Sequence, residues 1–259
     1  MFNKAIEYYE KVVEYYQEMG NKSKIAEILV SLILITSEQN KSELAKKHHK
    51  KLEEITEEIE YKNIKRFTLL TEAIILKNST VSRDKVRAEV ILDQLLQEDL
   101  DSNFHIRVLF HLCDLLLSEL KETSDEKILT KLQKYVSKLI EIGTSNNVSY
   151  LIVEILWFKS QLSLLDLNIE KARELLNQAL QIAEEKGFNY LALKIIKSRE
   201  QLIKQQVELE EIGTESHLIS KRMEILKVKN GFKKIKNDER FALNVEKLER
   251  TDKLLSIKI

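Results

Sequence analysis

The side chains with chemical potential are few in this chain. His48 and His49 are adjacent and sit among Lys46, Lys47, Lys50 and Lys51. Neighbours on a helix point about 100° apart, so the pair is badly placed to share a metal ion. Four ammonium groups would also repel a cation. The pair reads as a solvated face, with His49 turned against a neighbouring helix. His105, His111 and Cys113 fall in one apolar stretch. His105 and Cys113 are eight apart and could share a helix face, whereas His111 points elsewhere. No second Cys and no HExxH spacing joins them. Cys113, within LCDLLL, reads as a small buried hydrophobe, because neither a base nor an electropositive setting accompanies it. The carboxylate pairs Glu53-Glu54, Glu57-Glu58 and Glu184-Glu185 are flanked by Lys at helical spacing, the mark of solvated faces. No GxxxxGK[ST], GxGxxG or GxSxG is present. The sequence therefore predicts no catalytic residue, no metal site and no cofactor, and a protein that is not an enzyme. Trp157 remains, the single Trp: a binding anchor where exposed, a core residue where not.

The elements that must position these residues are helices. The 259 residues include no Pro and five Gly, so breakers are scarce. Strand-like alternation is nearly absent, and the predicted fold class is all-α. Lys and Arg number 42, as do Asp and Glu, so net charge gives no push toward nucleic acid. One Cys excludes an internal disulfide framework and fits a reducing, cytoplasmic setting. The N-terminus, MFNKAIEYYEK, has no apolar signal-peptide core. The most apolar run, Tyr150 to Leu167, carries Glu154, Lys159 and Asp166, which predicts a buried helix and no membrane span.

Ile169 to Gly187, IEKARELLNQALQIAEEKG, has the strongest helical period. Ala172, Leu175, Leu176, Ala179, Leu180 and Ala183 share one face, Asn168 is placed to cap the start, and Gly187 to close the end in a left-handed conformation. With Ala172 as key and Gly187 as stop, the same ruler fits Ala5 to Gly20 and Ile128 to Gly143. It fits more loosely from Ala45 to Glu60 and from Ala88 to Asn103. Tyr9, His49, Leu92, Leu132 and Leu176 follow four after each key, so a small residue sits below larger ones and a neighbouring helix can approach. Second apolar helices are predicted between them, near Lys24 to Glu38, Asn63 to Lys77, Phe104 to Lys121, Ser149 to Asp166 and Tyr190 to Glu211. Ser23, Ser42, Ser82, Ser124 and Asn168 are the candidate caps. The unit is a helix hairpin of about 42 residues that cannot bury its own apolar face, so hairpins stack into a solenoid.

The spacing, the small key residue, and stretches such as EKARELLNQALQIAEEKG and KAIEYYEKVVEYYQEMG resemble tetratricopeptide repeats, in the variety with extended helices. The resemblance covers about residues 1 to 210. It implies a right-handed α-α superhelix whose concave face binds a peptide or helix of a partner protein. On that alignment Val30, Leu34, Lys77, Glu154, Trp157 and Gln161 line the groove, together with Glu27, Leu70, Ala73, Phe110, Cys113 and Leu117. The expected organisation is a repeat domain over 1–212 and a basic C-terminal helical extension over 213–259.

In that extension, Asp238 to Leu255 forms an amphipathic stretch able to serve a homodimer, and Lys229, Lys233, Lys234 and Lys236 form a small basic cluster. The expected function is a non-catalytic interaction scaffold with a protein or peptide partner, nucleic acid and membrane being disfavoured. The alternative is a sensor or regulatory module of a larger signalling or transcription-regulating protein, since the chain opens on a helix of the key type without its hairpin mate.

Overall fold

In a computed structural model, the described residues are 2–59, 61–99, 101–212, 218–226 and 228. Among them the chain is all-helical, with eleven helices and no strand. They are α1 (Phe2–Glu18), α2 (Lys22–Glu38), α3 (Ser42–Glu58), α4 (Lys62–Lys77), α5 (Ser82–Leu95), α6 (Ser102–Thr123), α7 (Glu126–Ser145), α8 (Ser149–Leu165), α9 (Ile169–Glu185), α10 (Asn189–Ile212) and α11 (Ile219–Leu226). None of the described helices is long and apolar enough to cross a membrane. The stretch Asp238 to Leu255 and the lysines at 229, 233, 234 and 236 lie outside the described residues.

Helix terminations explain how a chain without Pro makes short turns. Gly20 and Gly187 both take φ +68°, and the residue after each donates its N–H back to the carbonyl of Tyr16 (3.0 Å) or Ala183 (2.7 Å). A Cβ at either glycine would meet nothing within 4 Å, so the left-handed backbone alone selects glycine there. Asn40, Asn147 and Leu167 take φ near +55° and close the same kind of turn without glycine. At the helix starts, Asn168 accepts from the Lys171 N–H at 3.0 Å, as its position predicts. Ser42 and Ser82 already lie in the first turn, and Ser124 sits at φ +56°, ending α6. α3 and α5 begin after Lys41 and Val81 without a side-chain cap, whereas α2, α6 and α7 are capped by Asn21, Asp101 and Asp125, whose carbonyl or carboxylate oxygens reach backbone N–H groups two or three residues on. Gly143 is not a stop either: α7 runs on to Ser145, and a Cβ at Gly143 would sit 3.1 Å from the Ile152 side chain. It is a point of close approach between α7 and α8.

The described residues form two compact units, divided after residue 99. In the first, α1, α3 and α5 open at residues 2, 42 and 82, and α2 and α4 at 22 and 62, a spacing of forty each time. Each helix packs against the next in sequence, and α2 also packs against α4. Ile6 and Val13 of α1, Ile25, Leu29 and Ile33 of α2, and Leu52 of α3 share one core. The keys Ala45 and Ala88 are fully buried, as a close helix approach requires. On the other side a groove of about 540 Å³ opens between α1 and α3, floored by Leu29 and Leu32 of α2. The row α2, α4 is therefore the closely packed one.

In the second unit α6 to α10 again pack in sequence, and α8 and α10 open forty residues apart, at 149 and 189. Tyr150, Val153 and Leu156 of α8 meet Leu175, Leu176 and Ala179 of α9 and Leu191 and Ile195 of α10. α8 is buried on nearly every side, which is why its sequence has no amphipathic period. Both units are thus stacks of neighbouring antiparallel helices, the arrangement of an α-helical solenoid. α11, from within the predicted extension, packs on α6, α8 and α10 of this unit.

Candidate interaction site

α8 presents Tyr150, Glu154, Trp157 and Gln161 at intervals of four, three and four residues, one stripe down the helix. α10 lies beside it. Lys194 Nζ is 2.6 Å from Glu154 Oε2 and 3.5 Å from the centroid of the Trp157 ring, so one ammonium serves a carboxylate and a π face together. Trp157 Nε1–H donates to Ser198 Oγ at 2.8 Å, and that hydroxyl donates to the Lys194 carbonyl at 3.0 Å. Tyr150 Oη–H points at Glu154 Oε1 from 3.4 Å, and the Tyr150 ring meets Phe188 edge to face at 5.7 Å. Glu154 is 5% exposed, and a carboxylate so placed requires this cation.

The structure thus brings Glu154 and Trp157 together and ties both to α10. Trp157 and Gln161 are half-buried. Val30 and Leu34 of α2 and Lys77 of α4 are half-buried as well, and belong to the first unit. Phe110, Cys113 and Leu117 of α6 are buried. Lys194 and Ser198 went unnoticed in the sequence. Their signal is the repeat itself: Glu154 and Lys194 are 40 residues apart, Trp157 and Ser198 are 41 apart. The first unit shows the same interval where Asn78 Nδ2 donates to the Ser37 carbonyl, 41 residues away.

α11 crosses the carboxyl ends of α6 and α8. Its Ser220 N–H donates to Ser124 Oγ at 3.2 Å, and buried Arg222 lies in the field of Asp166 and Glu126. Ile219, Met223 and Leu226 are buried with it.

In the first unit both histidines are buried, which corrects the solvated face expected for His48. His49 Nδ1 is 3.1 Å from Thr71 Oγ1, whose own hydroxyl donates to the Thr68 carbonyl. His49 Nε2 lies 3.5 Å from Glu53 Oε1, and the ring's tautomer sets which of His49 and Thr71 donates to the other. His48 lines the groove between α1 and α3, its Nε2 3.7 Å from Glu10 and without a hydrogen bond. Burial holds both imidazoles below the ordinary value of 6.5. Among the described residues no three His, Cys, Asp or Glu side chains converge as metal ligands would. Comparison of the chain with known protein families, with curated proteins and with solved structures gives no match.

Proposed function

We propose that the chain is a non-catalytic scaffold of tetratricopeptide-like helical hairpins that holds a helix or peptide of a partner protein. The observation that carries this reading is α11. A short amphipathic helix is seated across three helices of the second unit through Ile219, Met223 and Leu226, so this stack accepts a helix as a ligand does. The contacts proposed for a partner are Trp157 and Gln161 on the second unit, which keep part of their surface, and, as a separate surface, Val30, Leu34 and Lys77 on the first. Glu154 orients Trp157 through Lys194.

The test is a pull-down with mass spectrometry, the full chain as bait. Trp157→Ala and Gln161→Glu variants that match the wild type in far-ultraviolet circular dichroism should each lose the wild-type partner. A Trp157→Ala chain that keeps it counts against the assignment. A regulatory reading is supported by the same helix: α11 could be exchanged for a ligand helix, and the chain would then serve as a sensor within a larger signalling protein.

A further inference from the structure

We propose that α1 carries a self-association seam on which a second copy of this chain docks antiparallel. Tyr8, Val12, Tyr15 and Met19 recur at intervals of four, three and four residues, the spacing of a coiled-coil stripe. Tyr8, Tyr15 and Met19 are 67%, 54% and 62% exposed, and Val12 is half-buried. At 100° per residue the stripe is turned about 140° from Ile6 and Val13, which fasten α1 to α2. Four large apolar side chains in line on a surface otherwise rich in Lys and Glu are an interface, not scatter.

The seam is also pre-ordered. The Tyr8 ring leans edge-on against Tyr9 at 6.2 Å and the Tyr15 ring against Tyr16 at 5.4 Å. Tyr9 and Tyr16 are themselves packed on the core. The exposed rings are thus held before any partner arrives, which lowers the entropy lost on docking.

Self-complementarity identifies the occupant. With a two-fold axis between residues 13 and 14, Val12 meets Tyr15 of the other copy, and Tyr8 meets Met19, a sulfur–aromatic contact. Lys11 and Glu18 flank the stripe on the side away from the core, both exposed, and this antiparallel register sets Lys11 of each copy beside Glu18 of the other. A parallel pairing has no such match, because Lys11 would face Tyr16. One helix pair is a small interface, at or below the ~1,200 Å² lower end of specific ones, so dissociation is expected on the order of micromolar to a hundred micromolar.

The test is sedimentation velocity of the full chain over a concentration series. The wild type should approach twice its 30.4 kDa at the upper end. Tyr15→Glu should stay monomeric throughout. Lys11→Glu and Glu18→Lys should each weaken self-association about tenfold, whereas an equimolar mixture of the two, and the Lys11→Glu/Glu18→Lys double variant, should recover it. All three positions are exposed, so folding is checked by an unchanged melting curve. A wild type that is monomeric up to ~1 mM overturns the proposal, even where the stripe proves to bind some other protein. A dimer indifferent to all three single variants overturns it too and puts the contact elsewhere, for instance in Asp238 to Leu255. Failure of the mixture to recover overturns the antiparallel pairing.

Discussion

Lys194 decides what it costs to keep Glu154 out of water. The carboxylate is 2.6 Å from that ammonium. Lys194→Met should therefore cost about 2–3 kcal/mol in urea unfolding, because a charge is stranded in the packing and the cation–π contact with Trp157 goes as well. Glu154→Gln should cost less, and Glu154→Gln/Lys194→Met clearly less than the sum. An additive double-mutant cycle would mean that the two groups are not coupled. The histidines make a second residue-scale prediction. His48 and His49 are held below 6.5 by burial, against the opposing pull of Glu10 on His48 and of Glu53 and Glu72 on His49; Lys47 and Lys51 push His48 the same way as burial. A depressed folded value means that the unfolded chain takes up the proton first as pH falls. The histidine contribution is full above about 6.5 and is lost as pH drops toward the folded values. Urea midpoints measured between about pH 4.5 and 8 should therefore fall on the acid side, and His48→Gln/His49→Gln should flatten that slope. A double variant with the wild-type slope would show that other groups set it.

At the scale of the helix, the turn after α9 can be tested by itself. Gly187→Ala places a Cβ in open space but on a left-handed backbone, so the change should cost about 1 kcal/mol through backbone strain alone. A cost near zero in thermal unfolding would mean that the turn relaxes. This helix was legible in the sequence from cap to terminator, because a core-facing stripe and two end signals agree: Asn168, Ala172 to Ala183, Gly187. Where one signal stood alone it misled. Gly143 looked like a terminator and is a packing contact; the ruler from Ala88 ran past Leu95, where α5 ends, into the first turn of α6. Ser42 and Ser82 resemble caps, yet each stands one residue inside its helix. The pairing of Lys194 with Glu154 was invisible for another reason. It joins two helices forty residues apart, and an exposed-looking lysine on α10 carries no local mark of its partner. The seating of α11 is a tertiary fact of the same sort, since a short amphipathic segment does not say which helices will receive it.

For the molecule as a whole, the repeat makes stability a matter of neighbours. Each helix of the first unit packs against the next, and polar links join residues far apart within it. Lys22 pairs with Glu58, Arg66 reaches Glu98 at 2.8 Å and the Asp99 carbonyl at 2.6 Å, and Asn78 reaches Ser37. In a stack of this kind the free energy is close to a sum over helices and adjacent interfaces, so a run of two and a half hairpins is expected to fold by itself. A chain cut after Asp99 should retain helical circular dichroism and melt cooperatively, with a urea m-value reduced roughly in proportion to its length. The opposite result, a fragment that is helical only with added co-solvent or that melts without a transition, would mean that five helices of this sequence do not form a core without the sixth. That outcome would remove the nearest-neighbour description on which the forty-residue spacing rests, because a repeat that needs the whole chain to fold behaves as a single core.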